Sequence, residues 1–518
     1  MNTKFKRAIF PIGIAFLTTV APARGQSWWA QPEGGSWNSG ANWFQVQPNF
    51  EGAHAIFNNA VGPFNPAQTA SRTVTLDAPQ IVGIITFNND AANAFNNSLT
   101  AGTGGSLLFE SNGVGPAYIV VPAWNGTGNN SISAPMVLAD SLVAIVDHTS
   151  SSSAAGALNL TAAITGSGGF TKEGVGLATF GTGAKTYTGP TALNGGRMRV
   201  SFAAHPTATS GLTINSNAQL TLISAGAYAF GSNAIHLNGT GPANGPFAIF
   251  PGAIRPDTGL VIGISNAVVL DSDTVIHVQG SSGALTFSNT ISGPGKLTLT
   301  APSHDANLGS LILTSNNTYS GGTVVHGGTL VLAGSGTHIS RASLGSGNVT
   351  VESANTTFAG ATARLWIQEN VGNAISDSAT LSLAGGKVAG VADDGHIVLD
   401  NNVNERVSSL ILGGVLQPPG TYGSSSSGAG TQNDEYFSGP GILTVAEFGP
   451  ILTISRSAPN VVVSWPTNLV GFTLQQTPVL VTPTNTWTNV THAASVSGTN
   501  YTVTINAASG TSFFRLVK

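Results

Sequence analysis

The densest gathering of reactive side chains in the sequence is DDGHIVLDNNVNER, which places Asp393, Asp394, His396, Asp400, Glu405 and Arg406 within fourteen residues. Clustered carboxylates can divide general-acid and general-base work on a glycosidic bond, and Asp and Asn oxygens are the hard donors that Ca2+ prefers. Asp393, Asp394 and Asp400 are therefore the candidates for a metal site, with calcium as its ion. The spacing departs from the calcium-loop template, which sets acids at alternate positions, a glycine sixth and a glutamate twelfth. The plainer reading is a solvated turn beside a strand His396–Leu399, with Glu405 and Arg406 as a surface pair, no catalytic residue and no cofactor. A second stretch, LDSDTVIH, puts Asp271, Asp273 and His277 on one strand face by alternation. No second His or Glu stands near them, so an outward polar face is again the plainer reading. The ten histidines show no HExxH spacing, and with no cysteine in the chain thiolate metal sites, disulfides and cysteine nucleophiles are all excluded.

The elements that must position these residues are strands. Charged residues are 8% of the chain where about 25% is usual, and 66 glycines stand where helix-forming Glu, Lys and Arg would otherwise be. Thr, Ser, Asn, Val and Leu suit short strands, and glycine suits turns that need positive φ. The formal charge of −4 offers no basic face for nucleic acid. Residues 1–25 read as a secretory signal peptide: Lys4, Lys6 and Arg7, an apolar run Ala8 to Val20, then Ala23 and Gly25 before a cleavage near Gln26. Its removal takes away four bases and no acid, leaving −8. The apolar run is shorter than the roughly 20 residues a membrane span needs, so no transmembrane helix is expected in the mature chain.

An internal repeat organises the middle of the chain. NNTYSGGTVVHGGTLVLAG, Asn316 to Gly334, has a partner in KTYTGPTALNGGRMRV, Lys185 to Val200. Shifted by 132 positions, Thr186, Tyr187, Gly189, Thr191, Gly195 and Gly196 meet Thr318, Tyr319, Gly321, Thr323, Gly327 and Gly328. Upstream, GALNLTAAITGSGGF at Gly156 to Phe170 lies against GALTFSNTISGPGKL at Gly283 to Leu297, so the copies extend over about 131–200 and 265–334. Apolar positions alternate, as Val324 with His326 and Leu330 with Leu332, so one face of each short strand points inward. Strands this short, split by Gly pairs, leave no room for a crossover helix. Each copy is a unit that buries its apolar face only by stacking on the next, which favours a parallel β-solenoid with Gly189, Gly195, Gly196, Gly321, Gly322, Gly327 and Gly328 at its corners. Tyr187 and Tyr319 are expected to stack against neighbouring rungs, and His326 to be exposed.

These residues resemble the autotransporter-associated β-strand repeat, also called the passenger-associated transport repeat. The resemblance is strongest at Asn317 to Gly334; at Lys185 to Val200, Pro190 replaces a glycine and Arg197 and Arg199 interrupt the apolar strand. It implies an exported bacterial protein with a right-handed parallel β-helix, placed outside the cell, on the surface of a Gram-negative-type bacterium or in its periplasm. It also implies a structural or adhesive role whose partners are polysaccharides or other envelope proteins, with a polysaccharide-binding or polysaccharide-degrading protein as the alternative. Proteins of the autotransporter class end in an outer-membrane barrel; the last ~70 residues here are too few for eight barrel strands, so export through its own barrel is not expected.

The flanks differ from the repeats. GGSWNSGANW places Trp37 and Trp43 in a region, 26–130, read as an N-terminal cap and first rungs, with glycan stacking as the sharper alternative for the two tryptophans. The helix is expected to run through 131–448. From Gly449 glycine thins out and five short strands follow, which resemble a fibronectin-like or immunoglobulin-like β-sandwich over 449–518 with Trp465 in its core.

Overall fold

The computed structural model describes residues 25–88, 95–113, 115–123, 128–148, 157–248, 251–280, 282–300, 309–334, 342–354, 362–446, 452–467, 471–480, 486–506 and 510–517. Apart from Gly25, the leader-like segment 1–25 lies outside them. Two compact units are present, one ending at Thr444 and one beginning at Val445. Among the described residues the only helices are two single 3-10 turns, Gly40–Asn42 and Phe202–Ala204; everything else that is regular is strand.

The first unit is a parallel β-solenoid whose strands stack into three ladders. The first ladder runs through His54–Asn58, Ile84–Asn88, Ala117–Val121, Leu142–Val146, Phe170–Glu173, Thr191–Leu193, Leu212–Ile214 and Ile235–Gly239. The second takes Arg72–Leu76, Asn97–Ala101, Asn130–Ile132, Leu158–Leu160, Leu177–Phe180, Gly196–Val200 and Ala218–Leu222, and continues to Thr323–Val325 and Ser409–Leu412. The third is made of two separate sheets, one from Pro79–Val82 to Ile164–Gly166 and a later one that holds Ala284–Phe287, Ser310–Leu313, Gly328–Leu332, Ala363–Ile367 and His396–Leu399. Every one of these pairings is parallel and in register, so a residue has its counterpart about 4.8 Å above and below it. Alternate residues point inward: in Ala117–Val121 the alanine, Ile119 and Val121 are buried while Tyr118 and Val120 are half-exposed. One correction concerns Thr323–Val325, where Thr323 and Val325 are the inward pair and Val324 faces out with His326.

The two repeat copies share their local structure. Tyr187 Oη bonds Thr191 Oγ1 at 2.7 Å and Tyr319 Oη bonds Thr323 Oγ1 at 2.7 Å, both rings being fully buried. Gly196 and Gly328 both have positive φ, +62° and +81°. A Cβ on Gly189 or on Gly321 would lie 2.4 Å from the backbone of the rung beneath, so the corner closes only without a side chain. Yet the copies occupy different ladders. Thr191–Leu193 and Gly196–Val200 stand in the first and second, whereas Thr323–Val325 and Gly328–Leu332 stand in the second and third. The repeat specifies a corner with its two flanking strands and is indifferent to which side of the solenoid it builds.

Buried cations reinforce the first copy. Lys172 points inward and its Nζ donates to the carbonyls of Glu173, Gly174 and Gly195 at 2.8–2.9 Å, tying together corners of successive rungs. Lys185 Nζ does the same for the carbonyls of Ala162 and Gly183. Burial pushes Lys172 down to about 7 and Lys185 to about 8.

An aromatic core fills the N-terminal end. Gln26–Trp29 pairs antiparallel with Trp43–Phe44 and parallel with His54–Asn58, and Trp29, Trp37, Trp43 and Phe57 pack edge-on or tilted with centroids 4.7–5.9 Å apart. Trp37 Nε1 donates to the Pro48 carbonyl and Trp43 Nε1 to that of Trp37. Both rings are buried, which rules out sugar stacking on either. The second unit holds a four-stranded and a three-stranded antiparallel sheet, with Val463, Trp465, Leu474, Val503 and Ile505 as the core between them.

Candidate functional site

The acidic segment singled out in the sequence is built as a brace. Asp394 is completely buried, and its carboxylate accepts from Ser353 Oγ and from the backbone N–H groups of Ala354, Ala363 and Gly395 at 2.7–3.1 Å, with Lys387 Nζ 3.6 Å away. Ser353, Ala354 and Ala363 belong to the preceding rung, so one side chain pins the turn onto the ladder that holds His396–Leu399 and continues to Phe437–Ser438. Asp393 accepts from the Lys387 N–H, and Asp400 sits at the opposite end of that strand. His396 is buried, and burial holds its imidazole below the ordinary value. Glu405 also turns inward, 1% exposed, accepting from the N–H groups of Ala374 and Ile375, while Arg406 stays outside. Desolvation raises Glu405 to about 7. The solvated turn and the surface pair expected from the sequence are thus corrected: composition cannot show that two acids in a polar run are the ones that fold under the loop. Among the described residues no group of three His, Asp or Glu side chains is placed to hold a metal, so Asp393, Asp394 and Asp400 do not converge on an ion. A hollow of about 280 Å3 opens beside the brace, and Asp434 is its one lining carboxylate, already accepting from the Ser425 N–H.

The LDSDTVIH face is corrected as well. The strand Val268–His277 leaves one ladder and joins the next, pairing with Ile291–Ser292 at its start and Leu297–Thr300 at its end. Asp271, Ser272 and Asp273 are all exposed in the crossing, and alternation resumes in the same phase at Thr274 and Ile276; His277 lies on the face of Asp271 and Asp273 but is buried, with Gly252 against it and Nδ1 2.9 Å from the Thr300 carbonyl oxygen. Asp271 and Asp273 pair instead with His236 and Lys296.

A cluster that the sequence did not assemble lies on the outer side of the second ladder. Arg197 and Arg199 project from Gly196–Val200, and Arg255 from Ile254–Pro256 two strands further on. All three guanidinium groups meet Asp257, Arg199 at 2.9 Å, Arg197 at 3.3 Å and Arg255 at 3.9 Å. Arg197 Nε donates to Thr221 Oγ1, Thr221 to Gln219 Oε1, and Arg255 Nη2 to Gln279 Oε1. Phe247, from the excursion between Ile235–Gly239 and Ile254–Pro256, lies under the Arg197 guanidinium at 5.5 Å and closes the cluster from one side. Arg197 and Arg255 are 5–6% exposed, but Arg199 and Asp257 keep 26% and 31%. Burial and the neighbouring Arg255 lower Arg197 to about 10. The one available signal was the GRMRV segment, where two bases sit in a strand that its repeat partner fills with Thr and Val; Arg255 and Asp257 lie more than fifty residues away and carry no motif.

Fold and corner geometry define a parallel β-solenoid assembled from a repeated, nearly uncharged corner unit. The unit is the passenger-associated-transport-repeat: its family model matches residues 170–200 and 306–332, the segments that hold both tyrosine corners. The match links the chain to exported, passenger-type proteins. Comparison with curated proteins and with solved structures returned no significant match.

Proposed function

We propose that the protein is a non-enzymatic, exported β-solenoid acting as a structural or adhesive element at the cell surface or in the extracellular space. The observation that supports this most is where the acids go: Asp394 and Glu405, the buried carboxylates of the one acidic cluster, are spent bracing backbone N–H groups. Glycoside hydrolysis needs two carboxyl groups facing one cleft, and the hollow beside this cluster offers Asp434 alone. Length in such a chain is itself the product, because each added rung extends the shaft by about 4.8 Å and buries the previous one. Polysaccharides of the surroundings or other envelope proteins are its partners in this reading. Fractionating cells that express the tagged protein, with a deletion strain beside them, is the direct test. Recovery from the outer envelope or medium, and weaker attachment of the deletion strain to surfaces, are expected. Retention in the cytoplasm, or release of reducing ends from a polysaccharide by the purified chain, would overturn the reading.

A further inference from the structure

Charge is sorted along this chain. Residues 26–171 carry seven acids and a single base, Arg72, whose guanidinium is 1% exposed and donates inward to the carbonyls of Asn58 and Gln31. Residues 448–518 carry three bases and no acid. Each of these regions also leaves an apolar surface uncovered. On the N-terminal cap the Phe64 ring lies 4.8 Å from Trp28 and 4.6 Å from Phe44, all three at least partly open to solvent, and Val46 and Val61 are 67% and 74% exposed. Glu33, Glu51 and Asp77 stand exposed on the same cap, Glu51 next to the exposed Phe50 and Asp77 accepting from Ser36 Oγ. In the second unit, the three-stranded sheet of Thr473–Thr477, Thr488–Asn489 and Phe513–Val517 turns Phe514 and Leu516 toward its core and Phe513, Arg515 and Val517 outward. Arg515 is fixed there. Its Cζ sits 4.4 Å from the centre of the Trp487 ring, Nε and Nη2 donate to Gln475 Oε1 at 2.9 and 2.8 Å, and Gln475 in turn donates to Asn489. Residues 448–518 hold no carboxylate side chain to pair with it. A guanidinium already held in place loses little freedom on meeting a carboxylate, and apolar side chains gathered beside such a charge mark a contact surface.

The acidic surface stands at the start of a long ladder. Thirteen parallel pairings in series carry the second ladder from Arg72–Leu76 to Ser409–Leu412, about 62 Å of solenoid. We propose that the basic sheet of one copy docks on the acidic aromatic cap of a second copy of this chain. Arg515 meets a carboxylate of Glu33, Glu51 or Asp77, while Phe513 and Val517 pack against Phe44 and Phe64. Opposite charges fix the orientation and the apolar side chains supply the buried area. The contact joins unlike surfaces, so it does not close on two copies, and a third adds to the second to lengthen the shaft. The inference rests on the structural reading only for what such a shaft is for. Assembly of the purified protein and its recovery from the envelope are separate measurements and fail separately.

Sedimentation velocity and electron microscopy of the purified chain from Gln26 to Lys518 test it, over a concentration series at low and high salt. Multimers that lengthen with concentration and shorten in high salt are expected, because salt screens exposed charge pairs. R515E reverses the charge of the sheet, and F44K/V61K makes the cap basic at two exposed positions. Each should raise the concentration for half-assembly at least tenfold with an unchanged melting temperature; should the double variant melt early, V61K alone takes its place. An equimolar mixture of the two variants is decisive, since the intact cap of one and the intact sheet of the other should give dimers and nothing longer. Monomers at every concentration, association of either variant as tight as that of the wild type, or a mixture without dimers would overturn the proposal.

Discussion

Lys172 shows how much of this protein rests on single side chains at corners. Its ammonium group serves three carbonyls of two rungs. Lys172→Met leaves those oxygens without their donor and is expected to cost about 1–3 kcal/mol, read as a lower urea midpoint. Because burial depresses the folded-state value from 10.5 to about 7, the folded protein binds fewer protons than the unfolded chain between those limits. Stability should therefore rise as pH goes from 7 to 10, and K172M should flatten that slope. Glycine corners give the steric counterpart. Gly321→Ala drives a Cβ to 2.4 Å from backbone, for a loss of about 1–3 kcal/mol, whereas Gly263→Ala, whose nearest neighbour would be 3.8 Å away, should be close to neutral in the same melt.

At the scale of the element, the two repeat copies differ in how they turn. Gly322 has φ +90°, which proline cannot adopt, yet its counterpart in the first copy is Pro190. The corner keeps its function either way, since Phe170 N–H donates to the Pro190 carbonyl and Leu297 N–H to that of Gly322. Gly322→Pro should therefore destabilise by well over about 1 kcal/mol, while Pro190→Gly should cost no more than about 1, mainly by freeing the unfolded chain. A thermal melt of both variants decides it, and equal losses would mean that the copies turn alike. Glu405 belongs here too, because it fastens one strand to the Ala374–Ile375 turn. Its value is raised from 4.5 to about 7, so the folded state holds the extra proton and this contribution to stability declines as pH rises from 4.5 to 7. Glu405→Gln should remove that acid-side slope from the pH profile of the urea midpoint.

For the whole molecule, the unit from Val445 has its own core around Trp465, with sheet pairings that stay within it. Residues 445–518 alone should melt cooperatively with a buried-tryptophan emission, and the full chain should unfold in more than one step; a single transition by calorimetry and fluorescence would contradict this. The solenoid, by contrast, gains stability rung by rung from neighbours.

Much of this architecture is written locally. All-β composition, period-two alternation and the Tyr-Thr/Ser-Gly corners depend on contacts within a few residues or with an identical neighbour, so a repeat announces its own stacking. What the chain could not disclose is anything set by distance along the solenoid. His277 is buried on the face that leaves Asp271 and Asp273 exposed because Gly252, from the neighbouring rung, lies against it. Asp394 and Glu405 are inside because loops from other rungs fold over them. Arg197 and Arg199 meet Asp257 because stacking brings residues about sixty positions apart to strands two places apart on one ladder, where Arg255 joins them. Sequence alone determined the unit, since backbone geometry and burial are short-range; only the tertiary structure decided which charged side chains face one another, since register between rungs depends on the length of every turn in between.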